Sequence, residues 1–372
     1  MARVVVAVNY YAPYVSGLTN VAKDVAEGLA SRGHTVTVVA AQHDPSLPLE
    51  EIVGGVRVRR CPVVLTIGKG VISPSFIRTV VAEARAADIV NIHAPMLEAG
   101  SIARRVARHG TRLLFTYHCD VSLPPSILGR LQSVLMDAST RTAASRAYAT
   151  VVSSADYASH SRVAQQLAHN QVVIAPGCHD RGQGAPAFRE TEGPHIGFLG
   201  RVVEEKGIEY LVDSFAAWSA PEARLLIAGD FENIAGGSVV ERVRERIGDD
   251  DRIRILGFLD EDRIADFYAS LDAFALVSVN SFEAFGIVQV EAMMAGVPVI
   301  ASDLPGVRTP VQETGFGQIV PPRDALAITR ALDRLAKTSF DRVEAAAAAR
   351  GRFEVSRSTD AYERLIAAPA MS

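Results

Sequence analysis

Residues 278–305 read SVNSFEAFGIVQVEAMMAGVPVIASDLP, and this stretch decides the fold. An apolar run, 272–277, leads into it. A loop then carries Glu283, and a helix predicted to begin near Phe285 holds Ile287, Val288, Val290, Met293 and Met294. A second apolar run, 297–301, follows at once. In such a strand, loop, helix, strand unit, the loop and the helix N-terminus open at the carboxyl edge of a parallel sheet. Unpaired amides and the helix dipole there favour an anion such as a phosphate. Glu291 falls two turns into the helix, among apolar neighbours. A carboxylate in that setting is costly to bury unless something supplies hydrogen-bond donors, and the adjacent hydroxyls of a sugar diol would supply two.

Working outward, residues 195–199 form another short apolar strand, followed by Gly200-Arg201-Val202-Val203-Glu204-Glu205-Lys206-Gly207. A glycine-bearing loop between strand and helix, with one Arg and one Lys, suits two cations converging on a diphosphate.

These elements carry a resemblance. Glu283-Ala284-Phe285-Gly286-Ile287 through Glu291-Ala292, with the turn Gly296-Val297-Pro298-Val299-Ile300-Ala301, resembles the Glu-x7-Glu signature of retaining nucleotide-sugar glycosyltransferases of family 4. The loop from Gly200 to Gly207 resembles the Gly-Arg-x4-Lys-Gly element of the same family. The likeness covers nearly the whole chain and is strongest from His195 to Pro322. It implies the α/β GT-B fold, two Rossmann-like doubly wound domains facing a central cleft, with a C-terminal helix crossing back to the first. The implied division is 1–180 for an acceptor-binding domain, 181–352 for the nucleotide-sugar donor domain and 353–372 for the crossover helix and tail. The implied donor contacts are Gly17, Gly200, Arg201, Lys206, Glu283, Phe285, Gly286, Ile287 and Glu291. Glu291 would take the ribose, Glu283 the sugar hydroxyls, and Arg201 with Lys206 the leaving diphosphate. His118, Glu283, Arg201 and Lys206 are the implied catalytic residues, with no cofactor beyond the donor and no metal.

Composition agrees with an ordinary globular chain. At 372 residues it is long enough for two domains with separate cores. The run 4–8 is too short for a signal-peptide core and reads as a first buried strand. Three cysteines, Cys61, Cys119 and Cys178, are odd in number and lack metal-ligand spacing, which suits a reducing cytoplasm. The net charge of -4 conceals an asymmetry: residues 1–180 hold 17 Lys+Arg against 12 Asp+Glu (+5), and the rest 21 against 30 (-9). The basic half points to an anionic partner, a lipid surface or phosphorylated acceptor, at the inner face of the membrane. Nucleic acid is excluded as a partner, because no basic run is interleaved with aromatics.

The first half opens in doubly wound style, with strands at 3–9 and 35–40 and a helix over 18–31 capped at Gly33-His34. A nicotinamide-binding domain fails here: the first turn has no G-x-G-x-x-G, and the second strand ends in Ala41-Gln42-His43 without a ribose-binding acid. The family's first loop carries Gly-Gly where this chain has Ser16-Gly17, so Gly17 alone is carried over. Further elements are predicted as a strand over 56–64, helices over 74–86 and 97–109, and strands over 88–93 and 112–117. His118 follows the last of these and reads either as a structural histidine or as a group facing the crevice. The family likeness of Thr-Tyr-His-x-Asp implies the second. His93, at a similar strand end, reads as structural. A helix over 124–148 carries Ile127, Leu128, Leu131, Val134 and Leu135 with Arg130, Arg141 and Arg146. With Arg104, Arg105, Arg108 and Arg112 it forms either a membrane-docking basic face or a solvated one. A helix over 155–168 and a strand over 172–175 complete this half, and 176–194, rich in Gly and Pro, reads as a linker. Asp260-Glu261-Asp262 reads as helix N-capping and not as a metal site. The function indicated is transfer of a sugar from a nucleotide diphosphate to a hydroxyl of a glycan or lipid. The alternatives are a GT-B nucleotide-sugar epimerase and a nucleotide-sugar-binding protein without transfer activity.

Overall fold

The structure, a computed structural model, describes residues 1–67, 70–121, 126–230 and 238–368. The chain divides into two compact units, Met1–Gly177 with Val355–Ser372, and Cys178–Glu354.

The first unit is built on β1 (Arg3–Ala7), β2 (Thr35–Gln42), β3 (Glu50–Val53), β4 (Val56–Pro62), β5 (Leu65–Ile67), β6 (Gly70–Ile72), β7 (Ile89–Ala94), β8 (Arg112–Tyr117), β9 (Ala149–Val152) and β10 (Gln171–Val173). Eight of these form one sheet in the order β10-β9-β8-β7-β1-β2-β4-β3, parallel except where β3 turns back on β4. Val4, Val6, Val38, Ile92, Leu114 and Phe115 are buried, as strands covered on both faces require. The first helix, Gly17–Ser31, starts where Ser16 Oγ accepts from Thr19 N at 3.2 Å, and turns Val21, Val25 and Leu29 onto the sheet. The final helix, Val355–Ala367, packs on it. A Cβ at Gly28 would stand 2.6 Å from Thr359 Oγ1, so glycine permits the close approach. Arg32 pairs with Asp360 and Glu363 at the same contact.

Among its described residues the second unit has six parallel strands, β11 (His195–Leu199), β12 (Arg224–Ala228), β13 (Ile253–Gly257), β14 (Ala273–Leu276), β15 (Val299–Ser302) and β16 (Gly317–Val320), in the order β13-β12-β11-β14-β15-β16. Phe198, Leu211, Phe215, Leu225, Ile227, Ala275, Ile300 and Leu332 share its core. In each sheet the connections leave a central strand in both directions. The chain therefore has two topological switch points, between β1 and β7 and between β11 and β14, where α/β sheets form their ligand crevices.

Several local expectations are corrected. The helix placed near Phe285 begins at Ile287, because Gly286 takes φ +82. The helix expected over 155–168 is two, Ala155–His160 and Ala164–Leu167, broken where Ser161 is extended (φ -68, ψ 150). The helix expected over 124–148 is described as Ile127–Ala144, and its first expected residues lie outside the described ones. Asp260 makes no side-chain capping bond to the turn Glu261–Arg263. Arg112 does not join a basic face: it donates to the carbonyls of Leu365 and Ile366 and stacks 4.3 Å over Tyr148, tying the final helix to the sheet. The antiparallel pairs β3–β4 and β5–β6 lie where the sequence pattern predicts only a strand over 56–64.

Candidate functional site

At the switch point of the second unit, two loops meet. Gly207, at φ +67, lies so close to the chain after β14 that a Cβ would stand 2.4 Å from the Val277 carbonyl, and Val279 N donates to Glu205 O at 2.9 Å. This backbone contact brings Lys206 beside Glu283, with Nζ to Oε2 at 2.5 Å and both side chains 16% exposed. Glycine is also required behind the loop, since a Cβ at Gly229 would stand 1.8 Å from Gly200 O. Gly200 N donates to Ala228 O at 3.0 Å. Arg201 is different: its side chain is 47% exposed and lies 3.5 Å from Glu205. The two cations predicted to converge are thus one half-buried and paired with a carboxylate, and one at the surface.

Glu291 is buried, and its partners come from far along the chain. Arg181 donates to Oε1 from Nε at 3.1 Å and from Nη2 at 2.7 Å, and Tyr268 Oη donates to Oε2 at 3.1 Å. Burial raises its pKa above the usual carboxylate range, and the Arg181 guanidinium holds that rise back. The sequence predicts the need for donors, and Arg181 and Tyr268, which no local pattern marks, supply them. The turn before the helix is held by Gln289, whose Nε2 donates to Phe285 O at 2.5 Å and Val307 O at 2.9 Å. A Cβ at Gly286 would meet Leu276 Cδ2 at 2.2 Å. Phe285 is buried edge-on against Phe353, centroids 5.8 Å apart, so only its backbone is available at the turn. Ile287 is the first residue of the helix and is partly exposed.

In the first unit, Gly17 opens its helix with no atom within 4 Å of a Cβ built there, so packing does not explain this glycine. His118 follows β8, and its Nε2 lies 3.0 Å from Nδ1 of His93, the rings stacked at 5.2 Å. His93, which the sequence pattern reads as structural, is fully buried and is the direct neighbour of His118. Burial lowers the pKa of His118 to about 4 and that of His93 well below the ordinary imidazole value, so both are neutral at pH 7. Asp120 is occupied: Tyr117 Oη and Ser161 Oγ donate to its Oδ1 at 2.6 and 3.0 Å.

Two family models match the chain, a glycosyl transferase 4-like domain over residues 16–177 and glycosyl transferases group 1 over residues 193–338. The chain belongs to the family-4-like glycosyltransferases. This glycosyltransferase is 28% identical over 270 residues to a 2-deoxystreptamine glucosyltransferase of Streptomyces kanamyceticus, a match spanning 67% of this chain and 68% of that one. Among solved structures, sucrose-phosphate synthase from Thermosynechococcus elongatus matches with a TM-score of 0.77 at 20% identity, over 99% of this chain and 100% of that one. HepE from Anabaena, in complex with UDP and glucose, matches with a TM-score of 0.75 at 20% identity, over 99% and 100%. The fold is GT-B, and the family is one of hexosyl-transferring enzymes. Among the described residues, no helix is long and apolar enough to cross a membrane.

Proposed function

We propose that this glycosyltransferase takes its sugar from a nucleotide diphosphate held at the β11/β14 switch point and passes it, with retention, to a hydroxyl of a glycan or lipid acceptor. The observation that carries this reading is the Lys206–Glu283 pair beside the N-terminus of helix Ile287–Met294. An arriving diphosphate draws Lys206 from Glu283, which frees that carboxylate to accept from sugar hydroxyls. Arg201, at the surface, is free to follow. The amides around Gly286 and Ile287 and the backbone at Phe285 and Gly200 complete the phosphate and sugar contacts, with Glu291 accepting from the ribose. Charge growing on the leaving diphosphate is met by Lys206, Arg201 and the helix terminus, so turnover needs no metal. The acceptor hydroxyl attacks on the face the leaving group departs from, and the departing phosphate takes its proton. The UDP and glucose bound by HepE support a nucleotide-sugar donor.

A thermal-shift panel of nucleoside diphosphates tests the reading, since a ligand bound by the fold stabilises it by RT ln(1+[L]/Kd). One nucleoside diphosphate should raise Tm, and its sugar should release diphosphate only when acceptor is present, with EDTA leaving the rate unchanged. Interconversion of the sugar without acceptor would instead assign an epimerase.

A peripheral membrane contact belongs to the same proposal. On helix Ile127–Ala144, Ile127, Leu131, Val134 and Leu135 are exposed, at 91, 55, 61 and 48%. Arg130 and Arg141 lie exposed on the same helix, and Arg104 and Arg105 on its neighbour Ala99–Ala107. Apolar side chains flanked by arginines suit an anionic lipid surface. Co-sedimentation with anionic but not neutral vesicles, lost on Leu131→Ser with Val134→Ser, is the expected result. Equal pelleting with both vesicle types would dismiss the contact.

A further inference from the structure

The first unit holds a line of side-chain hydrogen bonds that ends at His118. Tyr362 Oη lies 3.2 Å from Thr116 Oγ1, and Thr116 Oγ1 donates to Asn91 Oδ1 at 2.9 Å. Asn91 Nδ2 lies 2.9 Å from His93 Nε2, and His93 Nδ1 lies 3.0 Å from His118 Nε2. Tyr362, Thr116, Asn91 and His93 are buried, so their hydroxyl and ring protons depend on acceptors within the line.

Two proton arrangements fit those distances. In the outward one, Tyr362 O–H donates to Thr116, Thr116 O–H to Asn91 Oδ1, Asn91 Nδ2–H to His93 Nε2, and His93 Nδ1–H to His118 Nε2. His118 then carries its own proton on Nδ1. The inward arrangement turns the Asn91 amide over and reverses every link, so that His118 donates from Nε2 and Thr116 donates to Tyr362. That leaves the buried Tyr362 hydroxyl proton without an acceptor among the described residues, at a cost of about 1–3 kcal/mol. The outward arrangement leaves no hydroxyl or ring proton between Tyr362 and His93 unmet, and the second Asn91 N–H has no partner among the described residues in either arrangement.

We propose that this line fixes His118 as the neutral tautomer protonated on Nδ1, with His93 as the positioning residue, so that His118 offers substrate a hydrogen-bond donor and no basic nitrogen. The lone pair on Nε2 is already engaged by His93, and taking up a proton there would break the line. His118 therefore cannot serve as the base of the transfer; its Nδ1–H suits an oxygen that gains negative charge or a hydroxyl accepting a bond. The catalytic significance rests on the reading of His118 given above, whereas the tautomer does not.

The test is nitrogen-15 NMR of the histidine side chains in the full-length protein, with His93 and His118 assigned by the signals lost in His93→Asn and His118→Ala. At pH 7 both rings should be neutral and protonated on Nδ1. A proton on Nε2 of His118, or an imidazolium at either residue, overturns the proposal. In kinetics, His93→Leu should lower kcat by about tenfold through loss of ring orientation, with nucleotide diphosphate Kd within about twofold of wild type. His93→Asn, whose amide N–H can replace Nδ1–H, should recover part of that loss. Wild-type kcat in a folded His93→Leu would remove the positioning role. A wild-type kcat in His118→Ala would sink the reading of His118 while the tautomer, read by NMR, stood or fell separately.

Discussion

The candidate site residues of the two units rest on opposite electrostatics. In the second unit, charges meet: Lys206 faces Glu283, and Arg181 with Tyr268 surrounds the buried carboxylate of Glu291. In the first unit, Tyr362, Thr116, Asn91, His93 and His118 form a line without a formal charge. Ion pairs can exchange partners when a diphosphate arrives, because an incoming phosphate can replace a carboxylate at the same cation. A neutral line cannot do that, but it can hold one donor in one orientation. On the proposed reading, the second unit meets the diphosphate and the first orients a single contact.

The largest expected effect breaks the charged side of this comparison. Arg181→Met leaves Glu291 buried without its cation, and at pH 8 this should cost about 3–5 kcal/mol in urea unfolding. The sign follows from protonation. Burial raises the folded pKa of Glu291, further once Arg181 is gone, so the penalty is complete above that pKa and shrinks as pH falls through it. The variant should therefore lie closer to wild type at pH 5 than at pH 8. An equal loss at both would mean that Glu291 is not the group left stranded.

Next in size is His118→Ala, which should lower kcat and kcat/KM together by about 10²-fold, as loss of one preorganised donor does, with little change in nucleotide diphosphate affinity. Loss of affinity together with a lowered Tm would reassign His118 to support of the fold.

The smallest effect sharpens the neutral side. A histidine held neutral in the fold stabilises it above its unfolded pKa, and that stability is lost as pH falls, because the unfolded chain binds the proton first. For His118 the window runs from 6.5 down to about 4, and His93 is lowered in the same direction. Unfolding free energy should fall between pH 7 and pH 5 with a slope of up to about 1.4 kcal/mol per pH unit for each histidine. The slope should be shallower in His93→Leu. An unchanged slope would show that other groups govern the acid limb.

How much of this was legible in the sequence follows the distance over which each feature is determined. Lys206, Glu283 and the helix terminus were readable because short local patterns set them: a strand end, a glycine, a turn. Glu291 was readable as a carboxylate in need of donors, yet its partner Arg181 lies 110 residues away, in a stretch read only as linker. No local period marks a residue so remote. His93 and His118 were each visible at a strand end. Their contact depends on β7 lying beside β8 with His93 opposite Thr116, a register that tertiary packing decides. The break at Ser161 was hidden for a similar reason, since Ser161 turns its hydroxyl to the buried Asp120 instead of continuing the helix.

The central claim, that the Lys206–Glu283 crevice holds the donor diphosphate, is tested most directly by calorimetric titration of the preferred nucleoside diphosphate into wild type and Lys206→Ala. Loss of a charge-assisted bond to phosphate should weaken binding by about 1.5–3 kcal/mol, with Tm of the free protein little changed. Glu291→Ala, through the ribose, should weaken it by a similar amount. Wild-type affinity in a folded Lys206→Ala would contradict the account and move the diphosphate elsewhere on the molecule.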